Sequence, residues 1–386
     1  MLILLDCRPL QQEGQDNEKS RFIISCADIL SERQGVEWLF LADSALPAEW
    51  LSGPSAHRLL TRRTLPGKRG WKIWYDWQIP LVVKKYRPDL VMTTAGIAAG
   101  SMKVPQCVWM TGSGDNKRQG KKKQATVYLK RLGQTLQSAQ AIFSFSEKDK
   151  AHFIDRATDK EAAGKIFVIP PAVGEIAPMS HEEKEKLKER YTEGKEYFLT
   201  VVSGADPKEV IDLLKAFSLF KKRQRSNMQL VLVGRDAAPD KELSERLANY
   251  KYRQDIHWTP TPPEEEWAGL AGASYAMVAS FERDDLGIRV LNAWKAGVPV
   301  ITTLSGAGGL DMTDEVLYAQ PGDPASLAGQ LMLIYKDEGL RNGLIGKGAI
   351  RGRSFSWERS AGQVWTGIMA AIEGLASKSV KSAINS

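Results

Sequence analysis

Between Tyr275 and Gly309 the chain sets charged side chains where a sheet exposes its loops. The loop Ser280–Leu286 carries Glu282, Asp284 and Asp285. It joins an apolar strand, Tyr275–Ala279, to a helix, Ile288–Lys295, which Gly287 opens and Gly297 ends. A second apolar strand, Val298–Thr302, and a glycine-rich turn, Ser305–Gly309, come next. Strand, loop, helix and strand without polar alternation predict a βαβ unit in a parallel sheet buried on both faces. Ligands of such sheets sit beyond the carboxyl ends of the strands. The first loop also meets a helix start, where backbone N–H groups and the macrodipole favour phosphate. An ordinary crossover with surface loops would use the same elements.

The rest of the chain supplies more strands of this kind. Leu2–Asp6, Trp38–Ala42, Arg58–Thr61, Leu90–Thr94, Gln106–Met110, Ala141–Phe145 and Lys165–Ile169 read as strands of a first half, with helices between them. Asn17 is placed to cap a helix running to Arg33, and Pro9 to Asp16 reads as a polar loop. Pro170, Pro171, Gly174 and Pro178 break the rhythm. It restarts with Tyr197–Val202, Gln229–Gly234, Ile256–Trp258, the stretch above and Val316–Ala319. Alternation of this kind predicts α/β architecture with two Rossmann-like domains facing a cleft. The expected divisions are 1–175, 176–355 and a C-terminal helix and tail, 356–386.

Composition narrows the function classes. Of 386 residues, 43% are hydrophobic and 26% charged, as in an ordinary globular protein. No apolar run is long enough to span a bilayer. The N-terminus reads as a first strand and not a secretion signal. Three scattered cysteines and four histidines without metal-ligand spacing predict no disulfide framework and no bound metal, which suits a cytoplasmic protein, and no cofactor is expected. The net charge of +7 is concentrated around Lys117–Arg131 and Arg62–Lys72. Such patches suit anionic lipid, acidic substrates or nucleic acid, though no nucleic-acid recognition motif accompanies them. Trp71, Trp74 and Trp77 recur at helical spacing in Trp71–Tyr86, with Pro80 expected to kink or interrupt the helix. The stripe fits a packed core, and it also fits aromatics in a membrane interface with lysines on phosphates.

The order and wording of these elements resemble the GT-B glycosyltransferases, most closely glycosyltransferase family 4. FSFSEKDKAHF (Phe143–Phe153), KIFVIPPAVG (Lys165–Gly174), YFLTVVSGADPKEVIDLLKAFSLF (Tyr197–Phe220), MQLVLVG, EVLYAQPGDPASLAGQL and FSWERSA (Phe355–Ala361) carry the resemblance. It implies transfer of a sugar from a nucleotide-diphosphate donor, metal-independent and with retained configuration, to a glycan or lipid-linked acceptor. It implies a C-terminal helix crossing back to the first domain. Peripheral contact with an anionic membrane at its inner face is the accompanying expectation.

The chemical positions depart from the family pattern. Its loop and helix glutamates, eight positions apart, correspond here to Asp284 and Asn292 around Gly287 and Ile288, with Glu282 or Asp285 as a substitute carboxylate. Its diphosphate clamp falls on Ser203 or Ala205 and on Glu209 with Lys208 beside it, and Arg235 is a further candidate cation. A carboxylate at Glu209 would repel a diphosphate unless it points away. Its acceptor-side pair falls on Thr111 and Gly112, with Asp115 as the nearby carboxylate. These changes leave two readings: an active transferase with altered residues, or a GT-B domain that has lost turnover and binds a sugar, a nucleotide or a protein.

Overall fold

In the computed structural model the chain divides into two compact units, Met1–Pro171 with Trp357–Ser386, and Ala172–Ser356. Every residue is described except 14–16, 48–49, 51–54, 62–66, 101, 111–130, 157–159, 203–205, 240, 280–285, 304–309 and 385–386.

The first unit contains β1 (Leu2–Asp6), β2 (Glu37–Ala42), β3 (Ala56–Leu60), β4 (Leu90–Thr93), β5 (Gln106–Trp109), β6 (Ala141–Ser144) and β7 (Ile166–Val168). The second contains β8 (Tyr197–Val201), β9 (Gln229–Gly234), β10 (Ile256–Pro260), β11 (Ala276–Ala279), β12 (Val300–Thr303) and β13 (Val316–Ala319). The sheet orders are β3-β2-β1-β4-β5-β6-β7 and β10-β9-β8-β11-β12-β13. Pairing is parallel at the centre of both sheets, β1 with β2 and β4, and β8 with β9 and β11. Each sheet therefore grows from its first strand in one direction and then on the other side. The switch points lie between β1 and β4 and between β8 and β11.

Burial follows the two-residue period of a strand. Tyr197, Leu199 and Val201 join Val231, Met277 and Trp294 in one cluster. Phe198, Leu230, Leu232 and Val278 join Phe217 and Phe220 in another. Buried hydroxyls within the sheet are satisfied: Thr200 Oγ1 donates to the Val278 carbonyl at 2.9 Å, and Thr302 Oγ1 to that of Ala279 at 2.7 Å.

The C-terminal helix Trp357–Ile384 returns to the first unit. Trp357 stacks on Phe22 with centroids 5.4 Å apart, and Phe22 meets Trp109 and Phe145 edge-on at 6.1 and 5.9 Å. Ser360 Oγ donates to the Pro170 carbonyl at 2.7 Å. A Cβ on Gly367 would run into the Phe143 ring, so the glycine sets how closely the helix approaches β6.

Two local expectations are corrected, and one further helix is added. Arg8–Glu13 is a short helix and not a polar loop, because Pro9 falls in its first turn, where no N–H is needed. Glu264–Gly272 is a helix that the run of prolines and glutamates concealed. The segment Gly67–Tyr86 stays helical through Pro80. Trp74–Gln78 forms a wide π turn in which the Ile79 N–H reaches the Trp74 carbonyl. That turn moves aside the carbonyl that the Pro80 ring would otherwise strike.

Phe22→Ala should lower the unfolding free energy by about 3–5 kcal/mol, the usual cost of emptying an aromatic core site. Denaturant unfolding measures it, and a change under about 1 kcal/mol would mean the return helix is not seated there.

Candidate functional site

In the second unit, the residues singled out by chemistry lie along one sheet edge. Because β9, β8, β11 and β12 are neighbours and parallel, their carboxyl ends face the same way. Arg235 follows β9, Lys208 follows β8 and Gly287 follows β11. Strands sit about 4.8 Å apart, so the ends of β9 and β11 are about 10 Å apart, within reach of one extended ligand.

Gly287 is the N-cap of the helix Ile288–Lys295 and adopts a left-handed conformation, φ 69° and ψ 21°. Two constraints select glycine here. The conformation is strained for other residues, and a Cβ would collide with Leu310. A glycine cap brings no side chain to occupy the helix start. Ile288 is half-buried against the core and anchors the first turn. Asn292 is half-buried, and among the described residues its amide makes no side-chain hydrogen bond. It is therefore available to a ligand hydroxyl.

The helix Pro207–Gln224 begins differently. Asp206 is its N-cap, and its carboxylate accepts from the Lys208 N–H at 2.9 Å. Glu209 turns back and accepts from the Asp206 N–H at 3.0 Å. This capping box decides the sign of the local field: two carboxylates already occupy that helix start. The Glu209 side chain is thereby committed to its own helix, while Lys208 is exposed. The Asp-x-x-Glu spacing of Asp206 and Glu209 carries this signal in the sequence itself. Arg235 is also exposed, and Gly234 before it is held by the Thr261 N–H and hydroxyl, both 2.8 Å from its carbonyl. Asp284, Asp115, Ser203, Glu282 and Thr111 lie outside the described residues, as do Asp285 and most of the basic segment Lys117–Arg131.

The first unit has its own switch point, and a carboxylate that sequence reading passed over occupies it. Asp6 ends β1 and is 1% exposed. It accepts from Trp74 Nε1 at 3.0 Å, Tyr75 Oη at 2.8 Å and the Arg8 N–H at 3.3 Å. Its carbonyl accepts from Thr94 Oγ1 at 2.8 Å, which ties β1 to the end of β4. Arg8 is buried as well, bonded through Nε to Asp43 at 2.9 Å, with its guanidinium over the Trp74 ring. Burial pushes the Asp6 carboxyl up to about 7, against the opposing pull of Tyr75, Trp74 and Arg8. No local pattern announces this residue, since its partners are 68 and 69 positions away.

Residues 181–350 match the family model for glycosyl transferases group 1. The O-antigen chain mannosyltransferase B of Escherichia coli is 23% identical over 241 residues, and the chain spans 61% of that relative's length and of its own. Solved structures match over almost the whole chain. A glycosyltransferase from Rickettsia africae ESF-5 superposes with a TM-score of 0.73 at 15% identity, covering 97% of this chain and 98% of that one. Anabaena Alr3699/HepE, in complex with UDP and glucose, gives 0.69 at 12%, covering 96% and 100%. Such distant structural likenesses establish the fold alone. The chain has the fold of the GT-B glycosyltransferases, and its second unit carries the likeness to glycosyl transferases group 1.

Two outcomes test the geometry. Gly287→Ala should cost about 1–3 kcal/mol in urea unfolding from backbone strain, with added overpacking against Leu310. Equal stability would displace the helix start. For Asp6, folding raises the carboxyl from its ordinary 3.8 to about 7, so folding favours the protonated form. Its contribution is therefore complete below the unfolded value and lost as pH rises through the folded one. Asp28, pushed up to about 6 by burial, adds in the same direction. Asp6→Asn should flatten most of the fall in melting temperature between those limits. Asp6→Ala should destabilise at every pH by about 1–3 kcal/mol, because the Trp74 and Tyr75 donors lose their acceptor.

Proposed function

We propose that the protein transfers a hexosyl group from a nucleoside-diphosphate sugar to a glycan or lipid-linked acceptor in polysaccharide assembly. In this reading the reaction retains configuration, needs no metal ion, and takes place at the cytoplasmic face of a membrane. The observation that carries it is the pair of unlike helix starts beside the β8–β11 switch point. One is closed by Asp206 and Glu209, and the other is capped by Gly287, which brings no side chain of its own. The second start suits an anionic leaving group, since its amides and dipole supply positive field without an ion. Asn292, one turn along, would hold the ribose hydroxyls. Lys208 and Arg235 would neutralise the diphosphate, and by family correspondence Ser203 would join them in binding it. By family correspondence, Asp284 or Glu282 would take the sugar hydroxyls, and Thr111 and Asp115 the acceptor. The mannosyltransferase relative and the solved complex with UDP and glucose support the same substrate class.

A thermal-shift series with UDP, GDP, ADP and their sugars tests the donor. One nucleoside diphosphate should stabilise the protein, by about 2.7 kcal/mol at a hundredfold excess over its Kd. Asn292→Ala should weaken that ligand about tenfold, a loss on the scale of one buried hydrogen bond. Silence from all three bases would remove the donor assignment. Stabilisation without release of nucleotide in the presence of acceptor would favour the binding-module reading. Turnover unchanged by EDTA is the expected result for a site that relies on helix dipole and side chains.

A further inference from the structure

The helix Gly67–Tyr86 has two unlike faces. Inward, Trp74 and Tyr75 are fully buried and fastened to Asp6. Outward, Ile73, Trp77 and Leu81 are 39%, 66% and 62% exposed, each four residues from the next. The wide turn at Trp74–Gln78 takes more residues per revolution than an α turn, which keeps these steps close to one line. Among the described residues, the other exposed large apolar side chains, Leu60, Leu333 and Ile350, stand on three separate elements. Arg69, Lys72, Lys84, Lys85 and Arg87 are exposed in the same segment and just beyond it. The acid within it, Asp76, is held by Arg131 at 2.7 Å.

We propose that this face docks the first unit on an anionic lipid bilayer. Trp77 and Leu81 enter the boundary between headgroups and acyl chains, and the surrounding lysines and arginines meet lipid phosphates. Charge selects this occupant over a second copy of the chain. A two-fold pair would bring each apolar stripe together but set like-charged rims against each other. A bilayer offers the opposite sign and an apolar layer beneath it. The inference rests on the lipid-linked acceptor for its purpose, but vesicle binding is read without donor or acceptor. Its failure therefore leaves the transfer reading standing, and the nucleotide series tests that separately.

The experiment is co-sedimentation with vesicles of phosphatidylcholine alone or with roughly one-third phosphatidylglycerol, at low and physiological salt. The full chain should partition at least about tenfold more strongly onto the anionic vesicles, less so as salt rises. Trp77→Glu with Leu81→Glu should lose that binding by about tenfold or more, and so should Lys84→Glu with Lys85→Glu. Ile350→Glu, an exposed apolar residue of the other unit, should bind as the wild type does. Near-ultraviolet circular dichroism confirms the fold of each variant. If a double variant is unfolded, Lys84→Gln with Lys85→Gln carries the comparison. Wild-type protein left in the supernatant with anionic vesicles would overturn the proposal. So would undiminished binding by the Trp77 and Leu81 variant, or a dimer in sedimentation velocity that this variant abolishes.

Discussion

A parallel sheet cannot be closed by hairpins. Every strand must be entered from the same end, so every connection crosses a face, and both faces must be apolar. That constraint shapes both units. It places all loops that leave the carboxyl ends on one edge, and it opens a crevice where successive connections diverge. In the second unit this point is the β8–β11 contact, reinforced by the buried Thr200 hydroxyl on the Val278 carbonyl. Gly287, Lys208 and Arg235 share an edge because of this topology, although they are far apart in the chain.

The same constraint leads to different chemistry in the two units. At the second unit's switch point one helix start is closed by its own carboxylates and its neighbour is capped by glycine. At the first unit's switch point the space is filled. Asp6, Arg8, Trp74 and Tyr75 form a buried polar cluster around a carboxyl that burial keeps largely protonated below neutral pH. A neutral carboxyl there can accept from Trp74 and Tyr75 without the cost of a buried unpaired charge. The cluster also fixes which side of the helix Gly67–Tyr86 faces inward.

Much of the fold was legible in the sequence. Strands such as Gln229–Gly234 and Val316–Ala319 coincide with the apolar runs, because a strand buried on both faces must be apolar throughout. The Asn17 cap was legible because its side chain acts within its own first turn, on the Ser20 N–H at 3.0 Å. Proline is an ambiguous signal, although the helix Pro207–Gln224 is legible despite opening on one. Pro9 reads as part of a loop and Pro80 as a kink or interruption, and Glu264–Gly272 carries no assignment in the sequence, because proline marks both helix starts and interruptions. The direction of the Glu209 carboxylate was left open, although the Asp-x-x-Glu spacing already contained the cap that takes it up.

The sequence by itself determined the class of architecture, the strands and the position of the glycine-capped helix start, because each depends on neighbours within a few residues. Tertiary structure decided the rest. Trp71, Trp74 and Trp77 are alike in sequence, yet Trp74 is buried and Trp77 is 66% exposed. The difference comes from Asp6, on a strand 68 residues away from Trp74, and from the wide turn that rotates the face. Helical spacing states which residues share a side. Which side meets the core is settled only by the partner that the fold brings to it.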